Sequence, residues 1–199
     1  MNLFHNICVG AGIAALGIAP AAADESAALA ILSSADSDLH AKAMACDALG
    51  QVGTAKAVPV LGKLLADPRL HDYARDGLER IPDASAGKAL LGALPSLEAN
   101  LRIGVIITLG DRREKGAVGA LEKIAKNGKD PVAAASAISS LGKIANPKAG
   151  KAIIGLLSSD DASVKAAAKN AALSAAQRME KEGSNKPAKK LRAAVEQAG

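Results

Sequence analysis

The stretch AKAMACDALG at residues 41–50 sets Ala41, Met44, Ala45, Ala48 and Leu49 three and four residues apart and ends in glycine. That spacing lays one apolar stripe along a helix. LRIGVIITLG at residues 101–110 repeats the arrangement through Leu101, Val105, Thr108 and Leu109. Gly77-Leu78-Glu79 and Ser140-Leu141-Gly142 close two further copies, so that Leu49, Leu78, Leu109 and Leu141 follow one another at 29, 31 and 32 residues, and another step of 32 reaches Leu173. Twelve residues past each of the first four leucines stands a second aliphatic: Leu61, Leu90, Leu121 and Ile153. Two coupled positions recurring four times mark an internal repeat.

Each unit reads as a helix hairpin. The first helix ends at a break rich in Gly, Pro or Asn: Gly53-Thr54, Pro82-Asp83, Gly110 to Arg113, Asn146-Pro147. A second amphipathic run follows, as in Val58, Leu61, Leu64 and Leu65 or Ile153, Ile154, Leu156 and Leu157. Asp67-Pro68, Asp130-Pro131 and Asp160-Asp161 then supply helix-start signals between units, because an acidic side chain satisfies free first-turn amides and proline is pre-set for the first helical position. No single hairpin can bury its own stripe, so the units must stack. The expected fold is all-α, an α-solenoid of about five helix-hairpin units.

The motif residues resemble the HEAT repeat family, in its short bacterial phycobilisome-lyase HEAT-like form. That pattern has an apolar residue, a basic residue, an alanine and a closing Ala-Leu-Gly. Ala41-Lys42 with Ala45 and Ala48-Leu49-Gly50 carries it, as does Leu101-Arg102 with Val105 and Leu109-Gly110. Leu70-His71 with Ala74 and Leu78, and Val164-Lys165 with Ala168 and Ala172, are weaker copies, and the fourth unit reads Val132-Ala133-Ala134 without the basic residue. The resemblance implies an armadillo/HEAT-type superhelix whose second helices line an inner, concave surface. It speaks for architecture; the same repeat serves unrelated tasks.

The expected organisation is a signal peptide at 1–23, a capping half-repeat at 24–35, the repeat array at 36–182, and a C-terminal linker and charged capping helix at 183–199. The leader rests on the uncharged run Ile7 to Ala19, then Pro20, Ala21-Ala22-Ala23 and the acidic Asp24-Glu25, an apolar centre with small residues ahead of a cut. Its n-region departs from the pattern by lacking Lys or Arg. The run is too short for a transmembrane helix. Cleavage after Ala23, with a periplasmic or secreted mature chain, is the expectation. Composition agrees with an all-helical reading: 49% of the 199 residues are hydrophobic, but Phe4 and Tyr73 are the only aromatics, and the strand-favouring residues are thin.

Little in the sequence reads as catalysis. His40 and His71 open the first helices of neighbouring units, and Cys46 stands six residues past His40, a separation that puts the two on different helix faces. No metal-ligand spacing or phosphate loop occurs. Both histidines are expected to face solvent and Cys46 to be a small core residue; a bilin-lyase-like enzyme using Cys46 is the least favoured alternative. No enzyme activity, cofactor or metal is expected.

Charge is the one uneven feature. The formal net charge is +5. The segments 54–65, 84–94, 114–126 and 147–157 hold eight lysines against Glu114 and Glu122, whereas the first-helix segments 38–50, 68–81, 97–110 and 131–145 carry six basic and six acidic residues. Lys56, Lys63, Lys88, Lys115, Lys123, Lys148 and Lys151 are the candidate partner-binding residues of the concave face. Such a face attracts an acidic protein surface by long-range steering; an anionic polymer is the alternative. Nucleic acid is a poor fit, since the face has no aromatics to stack on bases.

Overall fold

The computed structural model describes residues 24–199; the expected leader at 1–23 lies outside them. The order is α1 (Glu25–Ser33), α2 (Leu39–Val52), α3 (Val58–Leu64), α4 (His71–Arg80), α5 (Ala84–Ala93), α6 (Ala99–Asp111), a short 3₁₀ turn Lys115–Ala117, α7 (Val118–Asn127), α8 (Pro131–Ile144), α9 (Pro147–Leu156), α10 (Ala162–Lys181) and α11 (Asn185–Gln197). No strand occurs among the described residues. First helices α2, α4, α6, α8 and α10 pack in series, and the second helices α3, α5, α7, α9 and α11 form the other layer. Helix α1 packs on α2 at one end, with Glu25 accepting from the Thr54 amide at 2.6 Å. The described residues form an α-solenoid of five helix hairpins.

Local chemistry sets the boundaries. Asp38, Asp83, Asp130, Asn146 and Asp161 each cap a helix by accepting a first-turn amide, and Pro131 and Pro147 stand in the first turns of α8 and α9, where proline forfeits no intrahelical hydrogen bond.

The buried register within the first helices is tighter than the sequence stripe. It runs through Ala45, Cys46 and Leu49, then Val105, Ile106 and Leu109, then Ala137, Ile138 and Leu141. Met44, placed on the stripe by its spacing, is 55% exposed, and Ala43 beside it takes a buried place instead. Cys46 is fully buried and occupies the place of Ile106 and Ile138. In the second unit that place falls to Arg75, whose Nη1 donates to Thr108 Oγ1 at 2.9 Å while Thr108 donates to Glu79 Oε2 at 2.9 Å. At this place the α4–α6 seam is therefore polar where the α2, α6 and α8 helices put Cys46, Ile106 and Ile138.

Close approach explains the recurring glycines. A Cβ on Gly110 would lie 2.7 Å from Ser140, and one on Gly142 would lie 3.2 Å from Ala171, each on the next first helix. After α10 there is no next first helix among the described residues. Leu173 stands where glycine would have been needed, 43% exposed, and Ala172 takes the buried place instead; the last step of the repeat is thus 31 residues, one short of the spacing that reached Leu173.

Three arginines and a histidine bind units through carbonyls. Arg112 Nη1 lies within 2.7 Å of the carbonyl oxygens of Leu78, Glu79 and Ile81, at the end of α4. Arg102 Nη2 donates to Leu97 O at 2.7 Å. Arg113 Nη2 reaches Ile144 O at 3.4 Å. His71 corrects its expected exposure: it is 2% exposed, with Nδ1 2.6 Å from Leu65 O. The turn Asp67–Leu70 folds the start of α4 under the end of α3, so a basic residue there meets an orphan helix-end carbonyl rather than water.

Helix α11, inside the segment expected as a linker and capping helix, runs from Asn185 and pairs with α10 as the second helix of the fifth unit.

Candidate partner-binding face

The five second helices share a register. Their buried aliphatics are Leu61, Leu90, Leu121, Ile153 and Leu191, none more than 1% exposed. Residues five before, two before and two after such a position point roughly the opposite way on a helix of 3.6 residues per turn. Those places hold Lys56, Pro59 and Lys63; Ser85, Lys88 and Gly92; Gly116, Gly119 and Lys123; Lys148, Lys151 and Gly155; and Lys186, Lys189 and Ala193. No acidic residue stands at any of them.

All seven lysines expected from the sequence are exposed. Six fall in this register, Lys56 in the turn ahead of α3 and the others on α3, α5, α7 and α9, and Lys115 sits in the 3₁₀ turn ahead of α7. None of the seven takes part in an ion pair among the described residues. The acids of α7 and of the turn ahead of it, Glu122 and Glu114, are engaged elsewhere. Glu122 accepts Lys126 at 2.7 Å along α7. Glu114 caps Gly116 N and folds over Gly87, where a Cβ would collide with its carboxylate.

The first-helix layer is arranged differently. Arg80 of α4 pairs with Asp47 of α2 at 2.6 Å, and Lys143 of α8 pairs with Asp111 of α6 at 2.7 Å. Arg80 holds the Asp47 carboxyl below the usual carboxylate range, chiefly by hydrogen bonding. Those two cations are spent on neighbouring units, whereas the seven lysines of the second-helix layer are open to solvent.

Sequence reasoning missed Lys186, Lys189 and Lys190, because α11 read as a cap. The signal was present: Lys148 and Lys151 before Ile153 recur as Lys186 and Lys189 before Leu191, hidden by the 20-residue length of α10, which stretches the last spacing.

Three glycines belong to the same face. A Cβ on Gly92, Gly119 or Gly155 would meet nothing within 4 Å, so neither packing nor a left-handed backbone requires glycine there. Glycine inside a helix costs about 0.5–1 kcal/mol relative to alanine.

Among the described residues the candidate chemical groups are not gathered into such an arrangement. The Cys46 thiol is buried, and burial pushes its pKa up to about 11, away from the thiolate a nucleophile needs. His40 is exposed on α2, whereas His71, the first residue of α4, is buried. Among the described residues no group of three or more His, Cys, Asp or Glu could hold a metal ion. No helix there is long and apolar enough to cross a membrane.

The HEAT repeats family model matches residues 87–174, from within α5 into α10. No curated protein matches the chain. Among solved structures, the crystal structure of an engineered protein, a Northeast Structural Genomics Consortium target, is similar over 88% of this chain and 98% of its own, with 20% identity and a TM-score of 0.49.

Proposed function

We propose that this chain, a HEAT-repeat protein, is a non-enzymatic scaffold that docks an acidic surface of a partner protein on the lysine face of its second helices. HEAT repeats serve protein–protein interaction in general, and the finer assignment rests on one observation: Arg80 and Lys143 of the first-helix layer are paired between units, while seven exposed lysines of the second-helix layer are in no ion pair among the described residues and six of them share one register. Unpaired, co-aligned charge raises the encounter rate with an oppositely charged surface and orients it. The three glycines with open space support the same reading, since bare helix backbone lets a partner come close at positions where the fold alone favours alanine.

The leader pattern at residues 1–23 adds that the mature chain works outside the cytoplasm, as an accessory to an exported enzyme. A polyanion would use the same lysines. The only aromatic among the described residues, Tyr73, lies on α4 in the other layer, so the lysine face offers no stacking platform for bases.

The test is capture from the cell-envelope fraction with two baits, the native chain and a Lys63→Glu, Lys88→Glu, Lys123→Glu, Lys151→Glu variant, followed by reconstitution with the purified partner. The reading expects one acidic protein whose binding weakens with salt and is lost by the variant. A partner held equally by both baits, or recovery of nucleic acid or polysaccharide alone, contradicts it.

A further inference from the structure

The stack's last two second helices form more than a charged surface. Between the N-terminal halves of α9 and α11 lies an open groove of about 400 Å³. Its floor is apolar, made by Gly150 and Ile154 of α9 and by Pro187 and Leu191 of α11. Lys151 stands on the α9 rim, with Lys186 and Lys190, one turn apart, on the α11 rim. All three lysines are exposed and none is in an ion pair among the described residues. No acidic residue lines the groove.

We infer that this groove anchors a partner through an acidic peptide segment that inserts one aliphatic side chain between flanking carboxylates. The inference rests on the lysine-face reading and assigns where specificity enters it. Charge complementarity selects the occupant: three lysines around an apolar floor suit an aliphatic residue with aspartate or glutamate on both sides, and disfavour a neutral or basic segment. Lys151 belongs to the register that runs along α3, α5, α7 and α9, so a segment seated here continues onto the proposed face. The α11 N-terminus adds to this, because Ser184 makes no side-chain cap to its first-turn amides, leaving the positive end of the helix toward the same carboxylates. A buried aliphatic anchor within a charged rim is the arrangement that gives an interface its hot spot.

Fluorescence anisotropy on the full chain tests it with two labelled peptides, an Asp/Glu-rich one with a central leucine and the same peptide with serine there. The leucine peptide is expected to bind about ten-fold tighter, the gain from burying one aliphatic side chain. Ile154→Ala should remove most of that preference and leave the serine peptide unchanged. Lys186→Glu with Lys190→Glu, at exposed positions where reversal should leave thermal unfolding unchanged, should weaken both peptides about ten-fold or more. Equal binding of the two peptides, or an Ile154→Ala variant that keeps the preference, overturns the groove while leaving the wider face intact if Lys63→Glu with Lys123→Glu still weakens both. Indifference of both peptides to every lysine reversal overturns groove and face together. Tight binding of a short fatty carboxylate such as octanoate with no peptide binding overturns the peptide assignment.

Discussion

Arg113, in the link between α6 and α7, donates through Nη2 to Glu182 Oε2 at 2.9 Å, beyond the far end of α10 and 69 residues on. The same guanidinium reaches the Ile144 carbonyl at the end of α8, so one side chain of the third unit touches the fourth and the fifth. Most contacts in a solenoid run only between adjacent units, which makes stability nearly a sum of neighbour terms. This clamp couples three units.

Acid should loosen the clamp. Arg113, mainly by hydrogen bonding, holds the Glu182 carboxyl below its ordinary value of 4.5, and Arg192 does the same to Glu180. A carboxyl whose folded pKa is depressed contributes stability above the unfolded pKa and loses it as pH falls through the folded one. Urea unfolding followed by circular dichroism should therefore be flat through neutral pH and shift to lower midpoints below about pH 4.5, with a smaller acid shift in Glu182→Gln. An acid profile identical in the variant would remove the clamp from the account.

Ala145 closes α8 with φ of 45° in the left-handed region, a conformation natural to glycine at a helix end. Ala145→Gly is expected to stabilise the chain by roughly 0.5–1 kcal/mol, measured as a higher urea midpoint at unchanged slope.

Gly110 is the reverse case. Its missing Cβ is the space into which the Ser140 backbone packs, at 2.7 Å. Gly110→Ala should cost about 1–3 kcal/mol by forcing α6 and α8 apart, and a melt showing no loss would refute the close packing of these helices.

Alanine at Gly92, Gly119 and Gly155 together should raise the melting temperature, since each change gains helix propensity without a clash. If these positions are bare for the sake of a partner, the same triple variant should bind it more weakly. Higher stability with full binding would show that the glycines have no part in docking.

Cys46 should resist a thiol reagent in the folded chain and react at the unfolding rate once denaturant is added, because it is buried with its pKa pushed up to about 11. Fast modification under native conditions would reopen a reactive role.

The repeat was legible because its two leucine positions are fixed by packing that recurs in each unit. What escaped the sequence were places where one unit departs from the others for lack of a neighbour or because of a polar substitute. Leu173 reads as the next core leucine until α10 is seen to meet no further first helix among the described residues. His71 reads as a surface base until the turn at Asp67–Leu70 sets it under Leu65. The lysines of α11 read as a solubilising cap until the long α10 is allowed for. The lysine face on α3, α5, α7 and α9 was visible as a charge imbalance; its alignment, and the open glycines beside it, needed the buried register of each helix.

The lysine face is the central claim, and hydrogen exchange on the chain with and without its purified partner tests it most directly. The account predicts added protection along α3, α5, α7, α9 and α11, with the first helices unchanged. Protection gathered instead on α2, α4, α6 or α8 would place the partner on the opposite layer and contradict it.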